Sequence, residues 1–333
     1  MNDQPLISVI IPVFNGAQYI KRAVDSIQAQ TFHDLEMIVV DDGSVDDTRI
    51  IIEPMIKDGV VRYIYQENKG LAAARNTGIR NARGKFLKFL DCDDILYPRQ
   101  LEMQIDHLEN RPDDVLSVTD YELEFESGGK KPNKIRLGKN SQLARFIEAN
   151  PCPVHTVLVQ RSMVERMQGF DEDLHSHEDT DLWLRILLKG GVFEKIDYIG
   201  CCYRILHNSK SSNTASMFVQ RCKLFEKLNR NFSDKLNDVS PEVRDQLLSS
   251  NIRLIHLCFI HKGNVAFCLQ ETLKTSGMIY GMRANMLRKF LFKMIGIKNV
   301  IFLNYMKHSR MSQAYHSNLI NMDSSWRDEK SYA

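Results

Sequence analysis

The first ninety residues alternate between two hydrophobic rhythms. Four short runs rich in β-branched and aromatic residues, LISVIIPVF (6–14), LEMIVVD (35–41), VVRYIY (60–65) and KFLKFLD (85–91), read as buried strands. Between them the apolar positions recur at helical spacing over about 17–30, 46–57 and 69–81, with Asp46 expected as an N-cap and Gly59 as a C-terminal stop. Strands and helices in strict alternation predict repeated βα units on a parallel sheet. A doubly wound sheet binds its ligands outside the carboxyl ends of its strands, so the residues at those ends matter most.

Beyond a helix expected at about 99–109 the pattern changes. Two longer runs, VLSVTDYELEF (115–125) and HTVLVQR (155–161), flank a polar turn rich in Gly and Lys at 127–134 and suggest antiparallel pairing. The acidic stretch FDEDLHSHEDTD (170–181) leads into a helix at about 179–189, and a strand is expected at 201–204. From 215 onward the periodicity is helical, with NDVSPE (237–242) as a linker or cap, and the chain contains no internal repeat or low-complexity tract.

Composition narrows the class. With 43% hydrophobic and 26% charged residues over 333 positions, the chain is neither disordered nor collagenous. No apolar run approaches the roughly 20 residues of a membrane-spanning helix, and Asp3 with no basic leader argues against a signal peptide, so a cytosolic location is expected. The 7 cysteines form no zinc-type spacing and are expected to be reduced thiols. The net charge of +2 hides an asymmetry: residues 272–322 contain no Asp or Glu but eight Lys or Arg, which leaves the rest of the chain acidic.

The strand ends carry the chemistry. The first strand runs into Pro12, Val13, Phe14, Asn15 and Gly16, the second into Asp41 and Asp42, and the fourth into Asp91, Cys92, Asp93 and Asp94. Asp91 and Asp93, one residue apart, point to the same side of an extended backbone and suit a hard cation held by carboxylates and substrate phosphates. The alternative is that Asp91–Asp94 merely cap the next helix. Lys69 and Arg75 lie where they could meet diphosphate charge, and without cations five clustered carboxylates would raise one another's pKa. Neither GxGxxG after the first strand nor GxxxxGK[ST] is present, which removes the main support for dehydrogenase and ATPase readings.

SVIIPVFNGAQYI, QTFHDLEMIVVDDGSVDDT, NKGLAAARNTGIRNARGKFLKFLDCDD and GFDEDLHSHEDTDLWLRILLKG together resemble the family 2 inverting glycosyltransferases, over about 6–204. The resemblance implies an α/β GT-A type, Rossmann-like nucleotide-diphospho-sugar transferase fold, to which the helical periodicity from 215 adds a helical C-terminal extension. Its glycosyltransferase domain would span 1–214, divided into a nucleotide-binding half (1–110) and an acceptor half (111–214), followed by a helical region at 215–333. It also implies that Pro12, Val13, Phe14, Asn15, Asp41 and Asp42 form the base pocket, and that Asn68, Lys69 and Arg75 line the ribose and diphosphate. Asp93 would be the direct ligand of Mn²⁺ or Mg²⁺, with Asp91 on the ribose or sugar side and Cys92 in the variable middle position. Asp179 would be the general base, with Glu178 beside it as an acceptor-binding or alternative catalytic group.

An inverting transfer needs a base for the acceptor hydroxyl and stabilisation of the leaving diphosphate. Asp179 and Asp181 could instead face the dipole of their helix, and His175 and His177 could join Asp179 as metal ligands. Relatives often carry Tyr-Arg-x-His after the last strand; here YRILHNSKSS displaces the histidine by one, leaving Arg204 and His207 as candidate diphosphate contacts in a lid-like loop. The basic amphipathic stretch at 283–310 suggests peripheral contact with an anionic membrane on the inner face of the plasma membrane; a core-packed helix with a solvated basic face, or a nucleic-acid patch, stays open. The partners the resemblance implies are a nucleotide-sugar donor, UDP-linked, and a glycan or lipid-linked acceptor of bacterial surface polysaccharide assembly. A nucleotidyltransferase and a non-catalytic nucleotide-sugar-binding scaffold are the alternatives.

Overall fold

The computed structural model describes residues 4–138 and 141–206 and a set of helical residues between 217 and 232. In chain order the elements are β1 (Ile7–Val13), α1 (Ile20–Gln28), β2 (Leu35–Asp41), α2 (Thr48–Lys57), β3 (Arg62–Tyr65), α3 (Leu71–Asn81), β4 (Phe86–Phe89) and β5 (Ile95–Leu96). They continue with α4 (Gln100–Leu108), β6 (Val115–Phe125), β7 (Lys130–Asn133), α5 (Gln142–Glu148), β8 (Val157–Gln160), α6 (Arg161–Arg166), α7 (Glu178–Leu188) and β9 (Val192–Ile205). His207, the 208–212 loop, the domain boundary at 214/215, the linker at 237–242 and the basic stretch at 283–310 lie outside the described residues.

The nine strands form one sheet in the order β3-β2-β1-β4-β8-β6-β9-β5, with β7 paired to β6. β3, β2, β1 and β4 are parallel, as the βα rhythm predicts. β8 then runs antiparallel to both β4 and β6, as the two longer runs suggest, whereas the stretch expected as a turn at 127–134 holds a further strand, β7, paired antiparallel to β6. The longest ladder is one the local pattern does not announce: β6 and β9 pair in parallel, with a register irregularity at Thr119–Tyr121.

Burial explains the runs of apolar residues. Ile7, Val9, Ile11 and Val13 of β1 pack with Ile20, Ala23, Val24 and Ile27 of α1, whereas Ile10 packs on the opposite face with Ala72, Ala74 and Ile79 of α3. Both faces are covered, so β1 is apolar nearly throughout instead of alternating. α3 sits close to β1 because Gly78 leaves room: a Cβ there would come within 2.3 Å of Ile10 Cγ2.

One helix cap differs from expectation. α2 begins at Thr48, with Asp47 and not Asp46 in the N-cap position. Asp46 instead accepts from the Thr48 amide (3.1 Å) and hydroxyl (2.5 Å) and, with its other oxygen, from Ala17 N (3.0 Å). Gly59, at φ +71°, ends the helix region as expected.

Candidate active site

The loops after β1 and β2 are laced together. Asp42 N donates to Val13 O (2.8 Å), Asn15 N to Ser44 Oγ (2.9 Å), Val45 N to Asn15 Oδ1 (2.9 Å), and Gly16 N to Thr48 Oγ1 (2.9 Å). These bonds hold Pro12, Val13 and Phe14 beside Asp42 at the mouth of a cavity of about 980 Å³. That volume lies at the upper end of the range for small-molecule and cofactor sites.

The two aspartates after β2 do different things. Asp41 is buried, accepts from Ser44 N (2.8 Å) and Tyr63 OH (2.6 Å), and does not line the cavity. Burial, and then the Asp41 carboxylate, push the Tyr63 hydroxyl pKa well up. Asp42 faces the cavity while accepting from Gln66 Nε2 (2.7 Å), Lys69 N (2.9 Å) and Gly70 N (2.8 Å). It thereby pins the segment leading into α3 and brings Asn68 to the cavity wall, whereas Asn15 and Lys69 do not line the cavity.

Arg75 occupies the centre. Fully enclosed, it donates from one terminal nitrogen to Asp91 Oδ1 (2.6 Å) and from the other to Glu178 Oε1 (2.7 Å), with its guanidinium 5.2 Å from the centre of the Phe170 ring. Burial alone would lower its pKa, but Asp91 and Glu178 outweigh it and hold the pKa above its ordinary value. Both donor ends are thus committed to carboxylates, and Arg75 joins the Asp91–Asp93 element to the acidic start of α7.

Asp93 is the contrasting case. It lines the cavity with no ion pair among the described residues, and burial, then Asp94 and Asp91, push its pKa up to about 7. Cys92 lies half-buried against Gly16, its thiol raised well above the usual range by burial and by Asp93. Asp94, which drew no separate attention in the sequence, is a buried anchor. It stands 2.9 Å from His155 Nδ1, accepts from Arg204 N (2.8 Å), and is held up to about 6 by burial against the opposing pull of His155.

α7 supplies the opposite wall. His177, in the left-handed region at φ +62°, turns the chain so that Glu178 and Asp179 fall in the first helical turn. Glu178 is buried on Arg75, whereas Asp179 is more accessible and accepts from Thr180 N (2.6 Å) and Asn150 Nδ2 (2.8 Å). Burial, then Glu178, raises the Asp179 pKa, with Arg75 opposing. Asp181 belongs to the scaffold: Arg185 grips it at 2.5 Å and also donates to Met167 O and Gly169 O.

Burial and then Arg221 push the His177 pKa down to about 4, and its Nε2 lies 3.2 Å from Met217 O. Among the described residues no three His, Cys, Asp or Glu gather closely enough to hold a metal by themselves. Arg204 lines the cavity with its guanidinium on Glu124 (3.2 Å) and over the Tyr19 ring.

The cavity bordered by Asp42, Asp93 and Asp179 lies at the carboxyl ends of the parallel strands, where an open α/β sheet binds its ligands. The profile of glycosyl transferase family 2 matches residues 8–167. An uncharacterised glycosyltransferase of Rickettsia prowazekii is 34% identical over 219 residues, covering 63% of this chain and 67% of that one. The putative teichuronic acid biosynthesis glycosyltransferase TuaG of Bacillus subtilis is 32% identical, covering 64% and 84%. Other relatives are much longer: the match to chondroitin synthase of Escherichia coli, at 34% identity, covers 69% of this chain and 33% of that one.

Among solved structures, S. aureus TarS 1–349 in complex with UDP-GlcNAc superposes with TM-score 0.55 at 20% identity, over 75% of this chain and 80% of that one. Mannosyltransferase PcManGT from Pyrobaculum calidifontis, in complex with GDP-Man and Mn²⁺, gives 0.57 at 16% identity, over 95% and 83%. The chain belongs to glycosyl transferase family 2 and has the GT-A fold. No helix among the described residues is long and apolar enough to cross a membrane.

Proposed function

We propose that the protein transfers a sugar, with inversion, from a UDP-linked donor to a glycan or lipid-linked acceptor in bacterial surface polysaccharide assembly. The observation that carries the reading is that Asp42, Asp93 and Asp179 border one cavity although they follow three different strands or loops. Asp42 accepts from the base, with Pro12, Val13 and Phe14 around it. The names of the relatives, among them a teichuronic acid glycosyltransferase and a chondroitin synthase, support a polysaccharide product.

In the reaction the acceptor oxygen attacks the anomeric carbon as the bond from that carbon to the diphosphate breaks. The hydroxyl proton passes to Asp179, and the bonding pair leaves with the nucleoside diphosphate. Asp179 is preferred to Glu178 as base because Glu178 is taken up by Arg75. Asp93, assisted by Asp91, fits a divalent cation: its carboxylate, raised by burial and by two like charges, has no ion-pair partner among the described residues. When bound, Mn²⁺ or Mg²⁺ would neutralise charge on the leaving diphosphate. The mannosyltransferase structure with Mn²⁺ supports such a metal.

The test is binding and slow hydrolysis of UDP-, GDP- and TDP-sugars with and without Mn²⁺, on wild type and Asp179→Asn. Metal-dependent hydrolysis of a UDP-sugar that Asp179→Asn abolishes without loss of donor binding is expected. Preference for a GDP- or TDP-sugar overturns the donor assignment, and full turnover by Asp179→Asn overturns the base. Binding without turnover of donor, even with candidate glycan acceptors, would instead support a scaffold role.

A further inference from the structure

We propose that Asn150 is a positioning residue for Asp179, its side-chain amide pinning one carboxylate oxygen so that the acid is presented to the cavity in a single orientation. The inference rests on the reading of Asp179 as the base. Asn150 lies in the short strap between α5 and β8 that reads Asn150-Pro151-Cys152-Pro153, and it lines the same cavity as Asp179.

The orientation of the amide is fixed on both sides. Cys152 N donates to Asn150 Oδ1 at 3.0 Å, so the NH₂ end is the one turned to Asp179 Oδ2, at 2.8 Å. The strap is held in turn: Trp183, four residues beyond Asp179 on α7 and fully buried, donates from Nε1 to Cys152 O at 3.2 Å. Prolines on either side of Cys152 restrict the backbone between these two bonds. The second carboxylate oxygen of Asp179 accepts from Thr180 N and from the Thr180 hydroxyl (3.2 Å). A carboxylate has about four acceptor positions, so these three bonds fix the group and still leave it able to take a proton.

Asn150 also acts on charge. The groups facing Asp179 are Glu178 on its own helix, Arg75 from α3, the Cys152 thiol from the strap and the Tyr203 hydroxyl from β9. Of these only Arg75 favours the ionised acid, and it is shared with Asp91 and Glu178. A neutral donor bonded to the carboxylate adds to that support without competing for the proton.

The Asn150–Asp179 coupling is tested without donor or acceptor. Protein labelled with [γ-¹³C]aspartate is titrated by NMR, and the Asp179 signal is assigned by its loss in Asp179→Asn. Removing a hydrogen bond to a charged group in Asn150→Ala should raise the Asp179 midpoint by about one unit, a tenfold change in the ionisation equilibrium. Asn150→Asp keeps the shape of the side chain and should raise it further; it serves as the decisive variant if Asn150→Ala does not fold. An unchanged Asp179 midpoint in a folded variant overturns the proposal. UDP-N-acetylglucosamine hydrolysis, run in parallel, tests the base separately: a midpoint that moves while Asp179→Asn retains full turnover would keep the Asn150–Asp179 coupling but remove its catalytic meaning, overturning the positioning role.

Discussion

Replacing Arg75 by methionine tests the central contact of the site. The guanidinium is enclosed between Asp91 at 2.6 Å and Glu178 at 2.7 Å, and the Glu178 side chain is only 9% exposed whereas that of Asp91 is 30% exposed. Removing one partner of a buried ion pair costs about 3–5 kcal/mol, because the remaining charge is left without compensation. Water can reach Asp91, so the lower end applies, about 3 kcal/mol, most of it at Glu178. At about 2–4 °C per kcal/mol for a domain of this size, Arg75→Met should melt about 6–12 °C below wild type at pH 7.5.

Two further readings separate the electrostatic cause from lost packing against Phe170. The deficit should shrink as the pH falls, since protonation removes the stranded charge. Glu178→Gln placed in the Arg75→Met background should recover part of the melting temperature, because an amide carries no charge to strand. A melting temperature within about 2 °C of wild type, or a double variant no better than Arg75→Met, would refute the argument.

Other consequences follow from the same physics. Lys88 is buried with Gln104 Oε1 at 2.8 Å, and burial lowers its pKa to about 7. The unfolded chain keeps this proton up to its ordinary, higher pKa, so Lys88→Met should stabilise the protein most below pH 7, with the gain fading as the pH rises toward about 10. Asp93, raised to about 7, has the opposite sign: in EDTA, wild-type stability should fall as the pH rises from about 4 through 7, whereas Asp93→Asn should lack that decline in thermal melts. Gly84→Ala should destabilise by about 2 kcal/mol or more in urea titration, because its Cβ would meet Ser8 N at 2.5 Å and Ile7 C at 2.7 Å, backbone atoms that cannot turn aside. A Gly84→Ala midpoint equal to wild type would show that β1 can shift there.

Local pattern made much of the sheet legible. β1 to β4 and β6 fall where the apolar runs put them; in β1, β2 and β4 burial on both faces writes itself directly into consecutive residues, whereas the edge strand β3 is only partly buried and shows through its aromatic and β-branched residues. α5 and α6, of seven and six residues, escaped, since each is too short to show two turns of a helical rhythm. The parallel β6–β9 ladder escaped for a different reason. Its partners stand about 80 residues apart, and nothing in either strand alone names the other.

The site divides along the same line. Asp42, Asp91, Asp93, Glu178 and Asp179 stand out because strand ends and an acidic helix start are visible one segment at a time. What each carboxylate does depends on groups from elsewhere in the chain. Arg75 looks like a free cation for a diphosphate until Asp91, 16 residues on, and Glu178, 103 residues on, are seen to hold it. Asp41 and Asp42 are adjacent and chemically identical, yet Tyr63 OH claims the first for the scaffold while the second keeps a face on the cavity. Asn150 carries no motif at all, and only the 2.8 Å contact with Asp179 across 29 residues gives it a role. Residue types announce which chemistry is available, and partners brought in by the fold decide which of two like groups is left free to perform it.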